Sequence, residues 1–492
     1  FLNTLPLRVK IAGGETGESL LQQIRDTMAE LLSHADQPLA RIVEATNPER
    51  FEGRTPLLQT VLDWREGNPQ LDDLVADEQP QPEAYPLDVA TAPFDLALSL
   101  SGQEDGTITG GFIFDYASLD SETVAAWTRS FVMILEGLVQ QSDCPIRRLP
   151  TVAAQDLDRA SLAGPKVDAP PELSLLLLRA LAEYDSLPAV ESGDVTLTYG
   201  DLRARAQDII PGPGKVSIID TDDPVERVVQ ALAAILGQKV LALFDPALPQ
   251  ARRDKMRSTL LAIETEGIDG TVASYVQFTS GTTGEPKAAL LSRVGLANLI
   301  RTLGNDLSIK PGSRVLQLAA PAFDAWVWEV FITLGAGGTL VLADRSALHA
   351  GEPLAVCLRE RAVSHVTITP SALAALGQVD LPELTTIVAA GEPLSADLME
   401  TWAPGRRMFN AYGPCEATVC ASHGVCAAGS DTPDIGTPIV GMTAMVMDRY
   451  AMPAIPGAVG ELWVGGIGVG LGYVGAPAIT AERFIADPRA DD

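Results

Sequence analysis

The segment Tyr275-Val-Gln-Phe-Thr-Ser-Gly-Thr-Thr-Gly-Glu-Pro-Lys287 is rich in small and hydroxyl residues and ends in a lysine. Gly281 and Gly284 permit backbone conformations in which several N–H groups converge on one anion. The hydroxyls of Thr279, Ser280, Thr282 and Thr283 add donors, and Lys287 adds a point charge. The apolar run Val276 to Phe278 ahead of the loop reads as a strand. These residue types suit nucleotide phosphates, although the spacing is not the G-x-x-x-x-G-K-[ST] pattern. A plain Gly/Thr surface loop is the competing reading.

A second group is Asn410-Ala-Tyr-Gly-Pro-Cys-Glu416, where an amide, an aromatic face and a carboxylate follow one another closely. Tyr412 can stack on a purine, and Glu416 can hold Mg2+, a hard ion that prefers oxygen ligands alongside phosphates. Alone, the segment reads equally well as a turn. A third group, Phe323-Asp324-Ala325-Trp326-Val327-Trp328-Glu329, sets an acid in an apolar stretch, with Asp324 and Trp328 one helical turn apart. A buried carboxylate requires a positive partner or a full set of donors. A substrate ammonium is such a partner, and a solvated helix-start cap is the alternative.

The elements that must hold these groups follow from pattern. Residues 1 to about 148 read as a mixed α/β lobe with a strand over Phe1 to Val9, a helix over Ser19 to Ser33, and alternation at Leu57 to Trp64, Asp95 to Ser101 and Gly110 to Asp115. A further helix follows Asp120, whose carboxylate can cap it. Pro145, Pro150, Pro165, Pro170 and Pro171 thin out the pattern, so 149–172 is expected to be a linker. Beyond it, Leu173 to Glu183, Gly200 to Asp208 and Pro224 to Leu236 read as helices, alternating with extended runs at Leu197 to Tyr199, Val216 to Ile219 and Val240 to Phe244. That order predicts an α/β fold of layered sheets with crossover helices.

Composition narrows the function. With 492 residues, 46% of them hydrophobic, the chain can bury more than one core. A formal charge of −29 excludes a surface that tracks nucleic-acid phosphates, because such binding displaces counterions with Lys and Arg. The uncharged stretch Leu462 to Thr480 is long enough to cross a membrane, but its glycines at 465, 466, 468, 470, 472 and 475 predict strands and turns, so no membrane partner is expected. Five loosely spaced cysteines do not make a disulfide framework, and a cytoplasmic setting is expected. Phe1 is not an initiator residue, which predicts a start inside a longer protein. Cys415, Cys420, His423 and Cys426 lack a clear tetrahedral arrangement, so no zinc site is expected. His34, His349 and His365 are read as structural.

Leu197-Thr-Tyr199, Thr279 to Lys287, Phe323-Asp324-Ala325, Asn410 to Glu416, Gly460-Glu-Leu-Trp-Val-Gly-Gly466 and Ala481-Glu-Arg-Phe484 occur in the order and spacing of the adenylation domains of nonribosomal peptide synthetases. Residues 173–492 thus resemble the large core of the AMP-forming acyl-activating superfamily, with stacked α/β subdomains and a small β-barrel. Residues 1–148 resemble the C-terminal half of a condensation domain, a chloramphenicol-acetyltransferase-like lobe. Phe1-Leu-Asn-Thr-Leu-Pro-Leu-Arg8, His34-Ala-Asp-Gln-Pro38, Arg54-Thr-Pro-Leu57 and Pro93-Phe-Asp-Leu96 carry that second match.

The resemblance implies activation of an amino acid by ATP to an aminoacyl-adenylate, which is then passed to the phosphopantetheine thiol of a downstream carrier domain outside this chain. It implies a catalytic set of Thr283, Lys287 and Glu416, with Glu416 holding Mg2+. Thr279, Ser280, Gly281, Thr282, Thr283 and Gly284 would cradle phosphates, and Gly391, Glu392, Asn410, Tyr412 and Gly413 would border the nucleotide. Asp324 would take the substrate ammonium. The side-chain pocket falls on Asp324, Ala325, Trp328, Thr367, Val388, Ala390, Ala411, Val419 and Cys420, and this set resembles phenylalanine-activating pockets. An apolar pocket rejects an added hydroxyl only about a hundredfold, so tyrosine and tryptophan stay open.

The sequence departs from the family pattern in several places. Ala288 stands where glycine is usual, Cys415 where threonine is usual and Leu471 where arginine is usual. No lysine follows Lys310 to serve as the family's late catalytic lysine, which predicts weak or no adenylation by this chain alone. The first lobe has no adjacent histidines, so no condensation activity is expected, and its role would be that of a neighbour to the adenylating core. An acyl- or aryl-CoA ligase and a non-catalytic platform between domains are the rival expectations.

Overall fold

The computed structural model describes residues 3–49, 56–66, 94–103, 105–167, 171–209, 215–265, 268, 270–280, 286–430 and 433–487. The chain divides into two compact units, one of Phe1–Ser161 with Met445–Leu462 and the other of Leu162–Ala444 with Trp463–Asp492. The sequence places one linker at 149–172; the division by contacts falls at 161 and also returns a later segment to the first unit.

In the first unit the helix Gly17–Ser33 opens on a reciprocal cap, in which the Ser19 N–H donates to Thr16 Oγ1 and the Thr16 N–H donates to Ser19 Oγ. Asp120 caps Ser121–Gln140 as its type suggests, accepting from the Thr123 N–H at 2.9 Å. Strands Thr60–Glu66, Leu96–Gly102 and Ile108–Phe114 form a three-stranded sheet, the first pair parallel and the second antiparallel. No strand forms over residues 3–9, contrary to expectation. There the Asn3 amide donates to the carbonyls of Ala35 at 2.9 Å and Gln37 at 2.8 Å, so one side chain ties the segment down where a ladder was expected. Residues 1–2, 54–55 and 93 of the condensation-like motifs lie outside the described residues.

The second unit holds two larger sheets. One has five strands in the order Gly472–Tyr473, Pro286–Ser292, Ala273–Ser280, Val240–Leu243, Val216–Ile219. The other has nine, in the order Thr437–Pro438, Ser422–Cys426, Arg407–Tyr412, Thr386–Ala390, His365–Ile368, Arg314–Leu316, Thr339–Leu342, Pro188–Ser192, Val195–Thr198. Its central pairs are parallel and its edge pairs antiparallel. Ser161–Ala163, Met442–Met447 and Glu461–Gly466 form a small sheet. The glycine-rich stretch after 461 becomes Glu461–Gly466, Gly472–Tyr473 and the short helix Pro477–Arg483, and among the described residues no helix is long and apolar enough to cross a membrane.

Side chains alternate along each strand, so the two faces of the nine-stranded sheet bury different cores. Val366, Ile368, Ile387, Ala389 and Met408 join one core with the helices Glu352–Glu360 and Ala396–Trp402. Val388, Phe409 and Ala411 join the other, which includes Trp326, Trp328 and Phe331 from the helix Ala325–Gly335. Tyr199 ties this second core together. Its ring is fully buried, it meets Tyr184 edge-on at 5.7 Å, and its hydroxyl donates to the Gly338 carbonyl at 2.7 Å.

Tyr199→Phe removes that donor and keeps the ring. The expected cost is about 1–3 kcal/mol, since a buried carbonyl is left without its partner. Chemical denaturation checks this: the midpoint drops, and an unchanged midpoint would show that the hydroxyl contributes nothing.

Candidate active site

Register brings the expected pocket together. Thr367 pairs with Val388, and Ala390 with Ala411, near the C-terminal ends of three adjacent parallel strands. Pairing and alternation put all four side chains on one face, toward Trp328. Val419 and Cys420 follow on the return chain, Cys420 buried in the same core and Val419 packed against it. Thr418 and Val419 both adopt left-handed backbone, at φ +55° and +66°, which is strained for β-branched residues. Beneath the pocket a void of about 10 Å3 is lined in part by Trp328, Glu329, Thr367, Val388 and His365. A larger cavity of about 430 Å3, lined by Gly377, Asp380, Trp402 and Arg406 among others, contains none of the expected site residues.

Asp324 stands at the start of the helix Ala325–Gly335 but does not cap it. Its carboxyl is pushed above the ordinary carboxylate range, first by burial, while bonds from the Cys415 thiol and nearby backbone N–H groups pull it down and Glu416 raises it. Among the described residues no Lys, Arg or His forms an ion pair with it. This is a carboxylate short of a cation.

Gly281, Thr282, Thr283 and Gly284 of the expected phosphate loop lie outside the described residues, and of Ser280 only the strand backbone is described. The two ends of the loop are defined. Thr279 and Lys287 are register partners, and the Lys287 ammonium lies over the Tyr473 ring at 5.6 Å. The Tyr473 hydroxyl donates to Glu416 Oε1 at 2.6 Å. Cys415, beside Glu416, bonds Asp324, and Gln277 on the strand leading to the loop donates to the Ala322 carbonyl at 2.6 Å. Lys287, Tyr473, Glu416, Cys415 and Asp324 are therefore linked by a continuous run of contacts within the second unit.

Glu416 suits Mg2+ by its oxygen chemistry, and Mg2+ commonly keeps waters and takes further oxygens from phosphates. Among the described residues no three His, Cys, Asp or Glu side chains converge on a metal position. Tyr412 is 37% exposed. The Asn410 amide, buried on the opposite strand face from Ala411, donates to the Asp434 carbonyl at 2.8 Å. Gly391 takes φ +85°, while Glu392 accepts from the Ser371 N–H and hydroxyl, both at 2.9 Å. Gly413 is required by packing, because a Cβ there would lie 2.4 Å from the Val419 carbonyl oxygen.

Several contributors escaped the sequence reading. The Tyr275 hydroxyl is fully buried and has no hydrogen-bond partner among the described residues, and Asp324 and Cys415 are close enough to add to the burial that raises its pKa. Glu329, 1% exposed, accepts from Gln317 Nε2 and from the N–H groups of Leu318 and Ala319 at 3.0 Å each, clamping the loop that leads to Asp324. Burial nonetheless pushes its carboxyl up to about 8. His365, read as structural, accepts or donates to Ser364 Oγ at 2.7 Å and lies 3.2 Å from the Leu307 carbonyl, and burial brings it down to about 4. The signal for Glu329 was present as an acid one residue after Trp328, but its partners come from a loop that spacing alone does not bring near.

Comparison with known proteins agrees with this geometry. A family model described as AMP-binding enzyme matches residues 215–474, and one described as condensation domain matches residues 1–158. The chain is 31% identical to phosphinothricin tripeptide synthetase PhsC of Streptomyces viridochromogenes, covering 99% of this chain and 49% of that protein. It is 30% identical to bacitracin synthase 3 of Bacillus licheniformis, covering 100% of this chain and 8% of that protein. Its fold is similar to that of a four-domain nonribosomal peptide synthetase solved with AMP and glycine, with a TM-score of 0.81 at 21% identity over 97% of this chain and 40% of the other. The chain thus spans half or less of these relatives.

The shifts of Glu329 and His365 have opposite consequences for stability. Glu329 holds its proton more tightly folded than unfolded, so its contribution is complete below about pH 4.5 and is lost as pH rises toward 8. His365 is held neutral, so its contribution is complete above about pH 6.5 and is lost as pH falls toward 4. Between pH 6.5 and 8 the thermal midpoint of the unaltered protein should fall relative to that of Glu329→Gln. Parallel curves for the two proteins across that window would show that Glu329 does not hold its proton.

Proposed function

The chain belongs to the AMP-binding enzyme family, with a condensation domain ahead of that core, and from that premise we propose that it selects an amino acid and activates it with ATP. The proposed reaction joins the amino-acid carboxylate to the α-phosphorus of ATP as the bond to pyrophosphate breaks, leaving an aminoacyl-adenylate. The adenylate then goes to the thiol of a carrier-bound phosphopantetheine, within nonribosomal peptide synthesis in the cytoplasm. In this assignment residues 1–148 are the condensation lobe, 149–172 the linker and 173–492 the adenylating core.

One observation carries the proposal: the Asp324 carboxylate is buried enough to be destabilised and has no cation partner among the described residues. An α-ammonium satisfies it through a charge-assisted hydrogen bond. A simple fatty or aryl acid has no such group, which weighs against a CoA ligase of those acids. Trp328, Val388, Val419 and Cys420 make apolar walls, and Ala325, Ala390 and Ala411 leave room, which supports a large apolar or aromatic side chain such as that of phenylalanine. Burying such a side chain contributes roughly 1.5–3 kcal/mol.

In-line displacement between two anions depends on alignment and charge compensation. In this reading Thr279 and Lys287 engage phosphates and Tyr412 stacks on the adenine. Glu416 is the residue to hold Mg2+, which when bound offsets charge on the phosphate oxygens.

Calorimetric titration with a nonhydrolysable phenylalanyl-adenylate mimic tests the assignment without demanding turnover. Tight binding is expected, weakened at least about tenfold by Asp324→Ala, since a hydrogen bond to a charged group is lost. The same substitution should leave ATP binding nearly unchanged. An equal loss for ATP, or no loss for the mimic, would remove Asp324 as the ammonium anchor.

A further inference from the structure

Tyr473 is outside the residues assigned above to nucleotide, metal or substrate, yet it touches two of them. Its hydroxyl donates to Glu416 Oε1 at 2.6 Å, and the Lys287 ammonium rests 5.6 Å from its ring centroid. The residue is held from other directions as well. Its backbone N–H donates to Thr480 Oγ1 at 2.9 Å, Phe484 packs edge-on at 5.3 Å, and its short strand pairs with Ala289 and Leu290. Gly472 beside it takes φ +119°, and a Cβ there would come 2.6 Å from Thr480 Cγ2, so the approach of the helix Pro477–Arg483 requires glycine.

We propose that Tyr473 is a positioning residue that keeps Glu416 and Lys287 separately available, which rests on the assignment of Glu416 to the metal and Lys287 to phosphate. An ammonium and a carboxylate sharing one half-buried neighbourhood attract, and an ion pair between them would cancel both charges before ATP arrives. Among the described residues no such pair forms. Tyr473 gives the carboxylate a hydroxyl and the ammonium a ring face, two contacts of different kinds on one rigid side chain. One oxygen of Glu416 is fixed by the phenol, which orients the other for a hard cation.

The hydroxyl and the ring can be separated experimentally. Tyr473→Phe keeps the ring and removes the hydroxyl; Tyr473→Leu removes both. ATP is titrated calorimetrically into each protein with Mg2+ and with EDTA. Tyr473→Phe should lose roughly tenfold in Mg2+-supported affinity, the scale of one hydrogen bond to a charged group, with little change in EDTA and an unaltered thermal midpoint. Tyr473→Leu should also lose affinity in EDTA, because Lys287 is freed to close on Glu416. In a Glu416→Gln background, Tyr473→Phe should cost nothing further.

Unchanged Mg2+-supported affinity in Tyr473→Phe overturns the proposal, as does an equal loss in EDTA or a loss that persists beside Glu416→Gln. If the unaltered protein shows Mg2+-dependent ATP binding and Tyr473→Phe matches it, only the role of Tyr473 fails. If the unaltered protein shows no Mg2+-dependent binding, the assignment of Glu416 fails and takes this inference with it.

Discussion

Strand register is the constraint on which the rest of the site depends. Because side chains alternate, a one-residue slip in the strand Arg407–Tyr412 would exchange Ala411 for Asn410 on the Trp328 face. The pocket would then meet an amide where it now has a methyl. Cores on both faces oppose the slip, since Met408 and Phe409 would have to trade environments as well. The shared face of Thr367, Val388, Ala390 and Ala411 is thus secured by the same hydrophobic burial that holds the sheet.

Charge is distributed with equal economy. Asp324 and Glu416 lie close enough to interact, Glu329 follows little more than one helix turn beyond Asp324 in the chain, and the loop lysine Lys287 is engaged by an aromatic ring. Glu329 answers burial with backbone N–H donors, Glu416 with a phenol, and Asp324 with a thiol and backbone groups only. The least satisfied of the three is the one assigned to the substrate ammonium, as expected where a ligand supplies the missing charge.

Much of this was legible beforehand. The helices Leu173–Glu183 and Pro224–Leu236 and the strand Val216–Ile219 follow from periodicity and caps to the residue. The expected pocket set came only through resemblance, because its members are spread over residues 324–420 and no spacing rule gathers them. Tyr473, and the packing role of Gly413, were opaque for a different reason. Each acts on a segment distant in sequence or folded back on itself, Tyr473 on Glu416 and Gly413 against Val419. The expected strand does not form over residues 3–9, because alternation indicates an extended chain but cannot say whether a ladder partner exists.

The first unit is built from two separated stretches of chain, with Met445–Leu462 returning to it long after Ser161. Trp127 donates to the Pro456 carbonyl at 2.8 Å, Thr151 to that of Pro453 at 3.4 Å, and Arg449 reaches the Ile11 carbonyl at 3.2 Å. A recombination crossover near 161 would therefore divide a folding unit that looks continuous in the gene. A chimera made there inherits an insert shaped for its former neighbour, and grafts keep these bonds when 445–462 travels with residues 1–161.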